Sequence, residues 1–246
     1  MIPIALKKWL GIRHSCKSPN SIFIGLIGGV GDLISAAPSV AALKRKYPDA
    51  KINFGVGDGI FFNTIKNDPN IDHFETPFFY DVWKKRARRK TYREKYKEHD
   101  LVFLLDNGTQ DWWQPRKHLL DIYAEKCGVS LEERRPLIYL NDSDFEEAQK
   151  KIYELGISDK NKFLVLSPET RSKKKMKEWP YERFLLLIQK IRENHDFEII
   201  TLVSKDNPYN YDGTILLKGY PLGPSAAMIS RANFYLGLDN GLTHIA

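Results

Sequence analysis

From Ser21 onward the chain alternates short apolar runs with segments whose apolar positions recur every three or four residues, the periodicities of buried strands and amphipathic helices. "SIFIGLIG" predicts a first strand, and "LISAAPSVAALKRKYP" a helix. "AKINFGVG" predicts a second strand, "DGIFFNTIKNDP" a short helix, and "DLVFLLDNG" a third strand. "PRKHLLDIYAEKCG" predicts a helix stopped by a glycine in the left-handed cap position. Short apolar runs alternating with helical patterns are the signature of βα units on a mostly parallel sheet.

At Asp142 the pattern restarts. "DSDFEEAQKKIYELG" has an acidic first turn and a glycine stop, "KFLVLSPE" is strand-like, and "PYERFLLLIQKIREN" is strongly helical in period. The strands "FEIITLVS", "TILLKG" and "FYLGLD" follow. The chain therefore divides into an N-terminal extension (1–20), a first α/β domain (21–150) and a second (151–246).

Composition narrows the partners. The 246 residues carry a net charge of +7, which favours phosphate-bearing ligands: a nucleotide, a nucleic acid or an anionic membrane surface. The basic run "WKKRARRKTYREKYK" reads either as a solvated face or as a surface helix meeting a phosphorylated or membrane acceptor. Nucleic acid is disfavoured because Trp83, Tyr92 and Tyr96 recur at helical rather than stacking-platform spacing. Two cysteines make no disulfide framework, and the six histidines lack ligand spacing. The reading is a reducing cytoplasm, no cofactor and no metal. The start "MIPIALKKWLGIRH" is too short and too charged for a signal peptide or a bilayer span. It reads as an amphipathic helix on anionic lipid or as a terminus packed on its own domain.

Three segments hold candidate chemistry. In "LIGGVGDLISAAP" a strand runs through glycines into a helix, the arrangement that lets backbone N–H groups approach an anion. Ile34 stands where a dinucleotide fingerprint needs its third glycine, so a nicotinamide cofactor is not expected. Asp32 there is either a helix N-cap or a catalytic carboxylate. "SPETRSKKKMKEWP" crowds Arg171, Lys173, Lys174, Lys175 and Lys177 after a strand, suiting a polyphosphate or simply solvent, with Pro180 expected in the first turn of the next helix. "GLDNGLTHIA" ends a strand at Asp239, and the N–H groups from Gly241 to Thr243 would face an anion. His244 on the same turn is either a donor or a buried, satisfied histidine.

Taken in order, "GGVGDLISAAPS", "EHDLVFLLDNG", "SPETRSKKKMKEWPYERF" and "GLDNGLTHIA" resemble the heptosyltransferase family, glycosyltransferase family nine, from about Ser21 to Ala246. The resemblance implies a GT-B-like α/β fold, two Rossmann-like domains with mostly parallel sheets facing a cleft. It implies inverting, metal-independent transfer of a heptose-type sugar from an ADP-linked donor to a lipopolysaccharide or related lipid-linked glycan, in the cytoplasm at the inner face of the inner membrane. By the same resemblance Asp32 is the general base, Lys177 binds phosphate, and Asp239 grips the donor sugar. Asn240, Gly241, Leu242, Thr243 and His244 line the donor diphosphate, with Asn240 standing where members usually carry Ser or Thr. The acceptor belongs to the first domain, where Gly29, Gly31, Trp112, Trp113 and Arg116, with Lys117 and His118, are candidates. "DSD" at Asp142–Asp144 superficially matches a metal-binding Asp-x-Asp, but its helix-start position assigns it to capping.

A non-catalytic nucleotide-sugar or glycan-binding protein on the same scaffold is the alternative, favoured by Asn240. The stretch from Asn161 to Ala246 shows four strands and few helices, where a Rossmann-like half takes on the order of 120 residues. The expectation is an incomplete second domain, and little or no transfer by the chain as it stands.

Overall fold

The computed structural model describes residues 18–78, 95–105, 117–170 and 174–246. Two compact units emerge, Met1–Tyr139 and Leu140–Ala246. The boundary falls ahead of the division expected after residue 150, because Ala148 and Ile152, on a helix spanning Asp142–Glu154, are buried in the core of the second unit.

In the first unit, β1 (Ser21–Leu26), β2 (Lys51–Gly55), β3 (His73–Glu75) and β4 (Leu101–Leu105) form one sheet in the order β3-β2-β1-β4. All its pairings are parallel. β1 is buried almost throughout, with Ile22, Ile24 and Leu26 turned into the main core beside Leu33, Val40, Leu43 and Tyr123. That two-sided burial is why the strand reads as continuously apolar. Among the described residues, α1 (Val30–Lys46), α2 (Ile60–Ile65) and α3 (Leu119–Cys127) are its helices. Lys44, Arg45 and Lys46 occupy the last turn of α1, where cations complement the helix dipole. α3 stops at Gly128 in the left-handed conformation, φ 65°, as its sequence predicts.

Pro38 lies inside α1, so the carbonyl of Ile34 loses its normal helical donor. The chain leaving the first unit fills the gap: Leu137 N–H donates to Ile34 O at 3.0 Å.

The second unit repeats the plan. β5 (Phe163–Ser167), β6 (Glu198–Val203), β7 (Ile215–Lys218) and β8 (Phe234–Gly237) form a parallel sheet ordered β7-β6-β5-β8. Its helices are α4 (Asp142–Glu154), α5 (Lys174–Lys177), α6 (Tyr181–Asn194), α7 (Leu222–Arg231) and α8 (Gly241–Ile245). Asp144 of the "DSD" stretch closes a capping box: its N–H donates to Asn141 Oδ1 at 2.9 Å, and its Oδ2 accepts from Asn141 N–H at 3.1 Å. Pro180 is the N-cap of α6 and lies just outside the helical turn expected for it. The start of α7 packs on α4 so closely that a Cβ on Gly223 would lie 2.2 Å from Asp144 Oδ1.

Three elements were not expected, one of them the four-residue helix α5 inside the basic segment after β5. β3 has three residues at a sheet edge, too few to show a period. α7 opens on "LGPSAAM", where Gly223 and Pro224 hide a helix that Ala226, Ala227 and Met228 bury against the sheet. Among the described residues no helix is long and apolar enough to cross a membrane, and no group of three or more His, Cys, Asp or Glu side chains has metal-holding geometry.

Candidate functional site

In each sheet the chain continues from the strand order 1-2-3 on one side and returns to the other side for strand 4. Loops after the central strand and the fourth strand therefore part company, and in open parallel sheets this switch point at the C-terminal edge is where ligands sit. Among the described residues, Gly29, Gly31 and Asp32 fall at this edge of the first unit, and Lys177 and Asp239–His244 at that of the second.

In the first unit, Gly28 and Gly29 lead from β1 into α1, and Gly29 is the helix N-cap. Asp32 is the third helical residue, which corrects the N-cap position considered for it. Its Oδ2 reaches back to accept the Gly29 N–H at 2.6 Å. A glycine cap has no side chain to return that bond, so the carboxylate supplies half of a capping box alone. The fold-back needs Gly28, since a Cβ there would lie 2.4 Å from the Asp32 Cβ. Asp32 Oδ1 accepts from the hydroxyl of buried Tyr123, on α3, at 3.5 Å. Gly31 is a helical residue of α1 behind the cap. Trp112, Trp113 and Arg116, the basic segment 79–94 and most of the N-terminal extension lie outside the described residues. Of the remaining acceptor-loop candidates, Lys117 pairs with Glu125 at 2.5 Å, and His118 caps α3 by accepting from Leu120 N–H at 3.3 Å.

In the second unit the structure gathers most of the candidates. Lys177, the last residue of α5 in the connection after β5, places Nζ 2.6 Å from Asp239 Oδ2, just after β8. His244 Nε2 lies 3.5 Å from the other Asp239 oxygen. The Lys177 ammonium beside it holds the Asp239 carboxyl below the usual carboxylate range. The pair is accessible from solvent, with Lys177 28% and Asp239 62% exposed. Lys174 and Lys175 share the short helix α5 with Lys177, while Arg171 and Lys173 lie outside the described residues.

Asn240 is the N-cap of α8: its Oδ1 accepts from Thr243 N–H at 3.0 Å. Its Nδ2 donates to Ser167 Oγ at 2.8 Å and to the Glu169 carbonyl at 2.7 Å, both at the end of β5. Thr243 Oγ1 donates to the Leu238 carbonyl and lies 3.0 Å from the Tyr235 hydroxyl. Gly241 and Leu242 begin α8, and the first turn of a helix leaves such N–H groups without an intrahelical acceptor. Leu242 packs on the core of the unit.

Several supporting residues escaped the sequence reading. Glu169 looked like one more charge in a charged loop. Its carboxylate instead accepts from Ser204 N–H at 2.7 Å, Ser204 Oγ at 2.6 Å and Asn207 Nδ2 at 3.2 Å, binding the loop after β6. Thr170 Oγ1 donates to the Asp239 carbonyl at 3.3 Å. A polar Ser-Pro-Glu-Thr immediately after an apolar strand was the available signal.

A model of glycosyltransferase family 9 (heptosyltransferase) matches residues 82–246. Among solved structures, a glycosyl transferase family 9 protein from Veillonella parvula DSM 2008 is similar with a TM-score of 0.69 at 17% identity, over 95% of this chain and 79% of that one. The E. coli ADP-heptose lps heptosyltransferase II gives 0.59 at 13% identity, over 92% and 81% of the two chains. E. coli heptosyltransferase WaaC with ADP gives 0.57 at 16%, over 92% and 83%. No curated protein sequence matches the chain. At these identities the structural likeness establishes the α/β fold of two parallel-sheet units.

Proposed function

The chain belongs to glycosyltransferase family 9, the heptosyltransferases, and from that premise we propose that it moves a heptose-type sugar from an ADP-linked donor to a lipopolysaccharide-type glycan, with inversion and without a metal. The observation that carries the reading is the Lys177–Asp239–His244 cluster at the C-terminal edge of β5 and β8. It combines a cation suited to a diphosphate with a carboxylate suited to sugar hydroxyls. Similar structures, of 16% and 14% identity, hold ADP in WaaC and ADP-D-beta-D-heptose in TibC, which supports the same donor class here.

Asp32 takes the proton of an acceptor hydroxyl in this scheme. The freed oxygen forms its bond to the anomeric carbon from the face opposite the leaving group. The carbon–oxygen bond to the diphosphate breaks, and its electron pair leaves on the nucleoside diphosphate. Lys177 and the N–H groups of Gly241 and Leu242 stabilise that charge. Lys177 must turn from Asp239 toward phosphate, leaving Asp239 to accept from the sugar. The net charge of +7 supports work beside an anionic membrane surface, the place a lipid-linked acceptor would occupy.

Asp32→Asn, made in a version of the enzyme that transfers sugar, tests the base. Asparagine retains an oxygen that can accept the Gly29 N–H, so fold and ADP binding persist while transfer falls roughly a hundred- to ten-thousand-fold. A wild-type rate in this variant would leave Asp32 with only its role at the start of α1.

A further inference from the structure

A primary amide has two N–H donors and a carbonyl acceptor, and Asn240 spends all three within the chain. Its carbonyl takes Thr243 N–H, while its two N–H bonds go to Ser167 Oγ and to the Glu169 carbonyl. The first bond caps a helix that follows Asn240. The other two cross to a different loop, the one that goes on to carry Lys177. From Glu169 the connection extends through its carboxylate to Ser204 and Asn207 of the β6 loop, and Lys218 Nζ at the end of β7 donates to the Asn207 carbonyl at 2.8 Å.

We infer that Asn240 is a positioning residue: its amide fastens the Asp239 turn to the Lys177 loop, so that cation and carboxylate are held ready at one place, and it makes no contact with the donor itself. The inference rests on the reading of this edge as the diphosphate site. The ion pair cannot hold the loops alone, because pairs this exposed are weak and screened by salt. Half-buried amide bonds to a buried serine and a main-chain carbonyl resist solvent better. Serine at this position would also cap α8, but a single hydroxyl cannot bond Thr243 N–H and two acceptors across the sheet edge. The crossing is what the amide adds.

The test uses the whole chain, with Asn240→Ser, Ser167→Ala and the double variant. ADP affinity is measured by calorimetry, and the Asp239 carboxyl is titrated by NMR without ligand. Asn240→Ser should weaken ADP binding about tenfold, as expected for losing one or two such hydrogen bonds. It should also move the Asp239 titration up toward that of a free aspartate, with the melting temperature falling by the loss of the crossing bonds but not of the cap, which serine retains. Ser167→Ala should do the same to a smaller degree, and the two effects should combine to less than their sum. An unmoved Asp239 titration overturns the inference even if ADP binding falls, for the amide would then be touching the ligand. If the wild-type chain binds no nucleoside diphosphate, the donor reading fails, and the ligand-free titration still decides the fastening.

Discussion

Replacing Lys177 by alanine should weaken ADP binding by about ten- to thirtyfold while leaving the fold almost untouched. In the free chain Lys177 is committed to Asp239 at 2.6 Å, but with the two side chains 28% and 62% exposed that pair contributes at most about 1 kcal/mol. A charge-assisted bond from Lys177 to a diphosphate is worth roughly 1.5–3 kcal/mol, of which the surrendered pair takes back up to about 1 kcal/mol. Loss of the lysine alone thus costs the ligand about 0.5–2 kcal/mol, or roughly 2- to 30-fold. Alanine also leaves Asp239 un-neutralised beside an anion, which carries the effect to the upper part of the range. The double variant with Asp239→Asn should recover part of the loss, and Lys177→Arg, which keeps the charge, should lose less than alanine.

Calorimetric titration with ADP at low and moderate salt, alongside thermal melting, measures both sides of this account. The difference between wild type and Lys177→Ala should shrink as salt rises. The pair also has a pH signature. Because Lys177 holds the folded-state pKa of Asp239 below its unfolded value, its contribution is present above the ordinary aspartate value of about 4 and fades as pH falls through the folded value. ADP affinity within twofold of wild type in Lys177→Ala would refute the reasoning, and would place the lysine loop against solvent.

Two further outcomes are expected from the scaffold. Cys127 is fully buried and its thiol is pushed up to about 12 by desolvation; in a Cys16→Ser background the native chain should resist a thiol reagent at pH 8 and react fully once unfolded. Gly223→Ala would set a Cβ 2.2 Å from Asp144 Oδ1 and force that carboxylate out of its capping box, costing about 1–3 kcal/mol in chemical denaturation. The same substitution made on Asp144→Ala should cost markedly less.

The elements that could be read from the chain are those with a continuous apolar run or a clear helical period. β1, β4, β5 and β6 are runs of apolar residues between polar turns, and α1, α4 and α6 are long enough to show a helical period. β3 and α7 failed for opposite reasons: one is too short for a period, and the other begins with residues that usually end a helix. At the site, the family resemblance assigned Lys177 to phosphate and Asp239 to the donor sugar, but the ion pair between them was not anticipated. Nor was the exact place of Asp32, because any of several residues after Gly28 could have been the cap. Asn240 was legible as a departure from the family pattern but not as a fastener. Its partners, Ser167 and Glu169, lie 73 and 71 residues earlier, and nothing local announces such a bond.

Pro38 gives the first unit a schedule. A helix ordinarily closes its hydrogen bonds from within, soon after its own residues exist. In α1 the carbonyl of Ile34 has to wait for an N–H that is made 103 residues later, at Leu137. During synthesis α1 therefore carries an open acceptor on its buried side until the final stretch of the unit emerges, and the helix and the exit segment finish together. A contact of such long sequence separation slows folding, but it also makes a chain cut short before Leu137 distinguishable from a finished one. The proline that looks like a flaw in the helix links completion of α1 to the arrival of the unit's last residues.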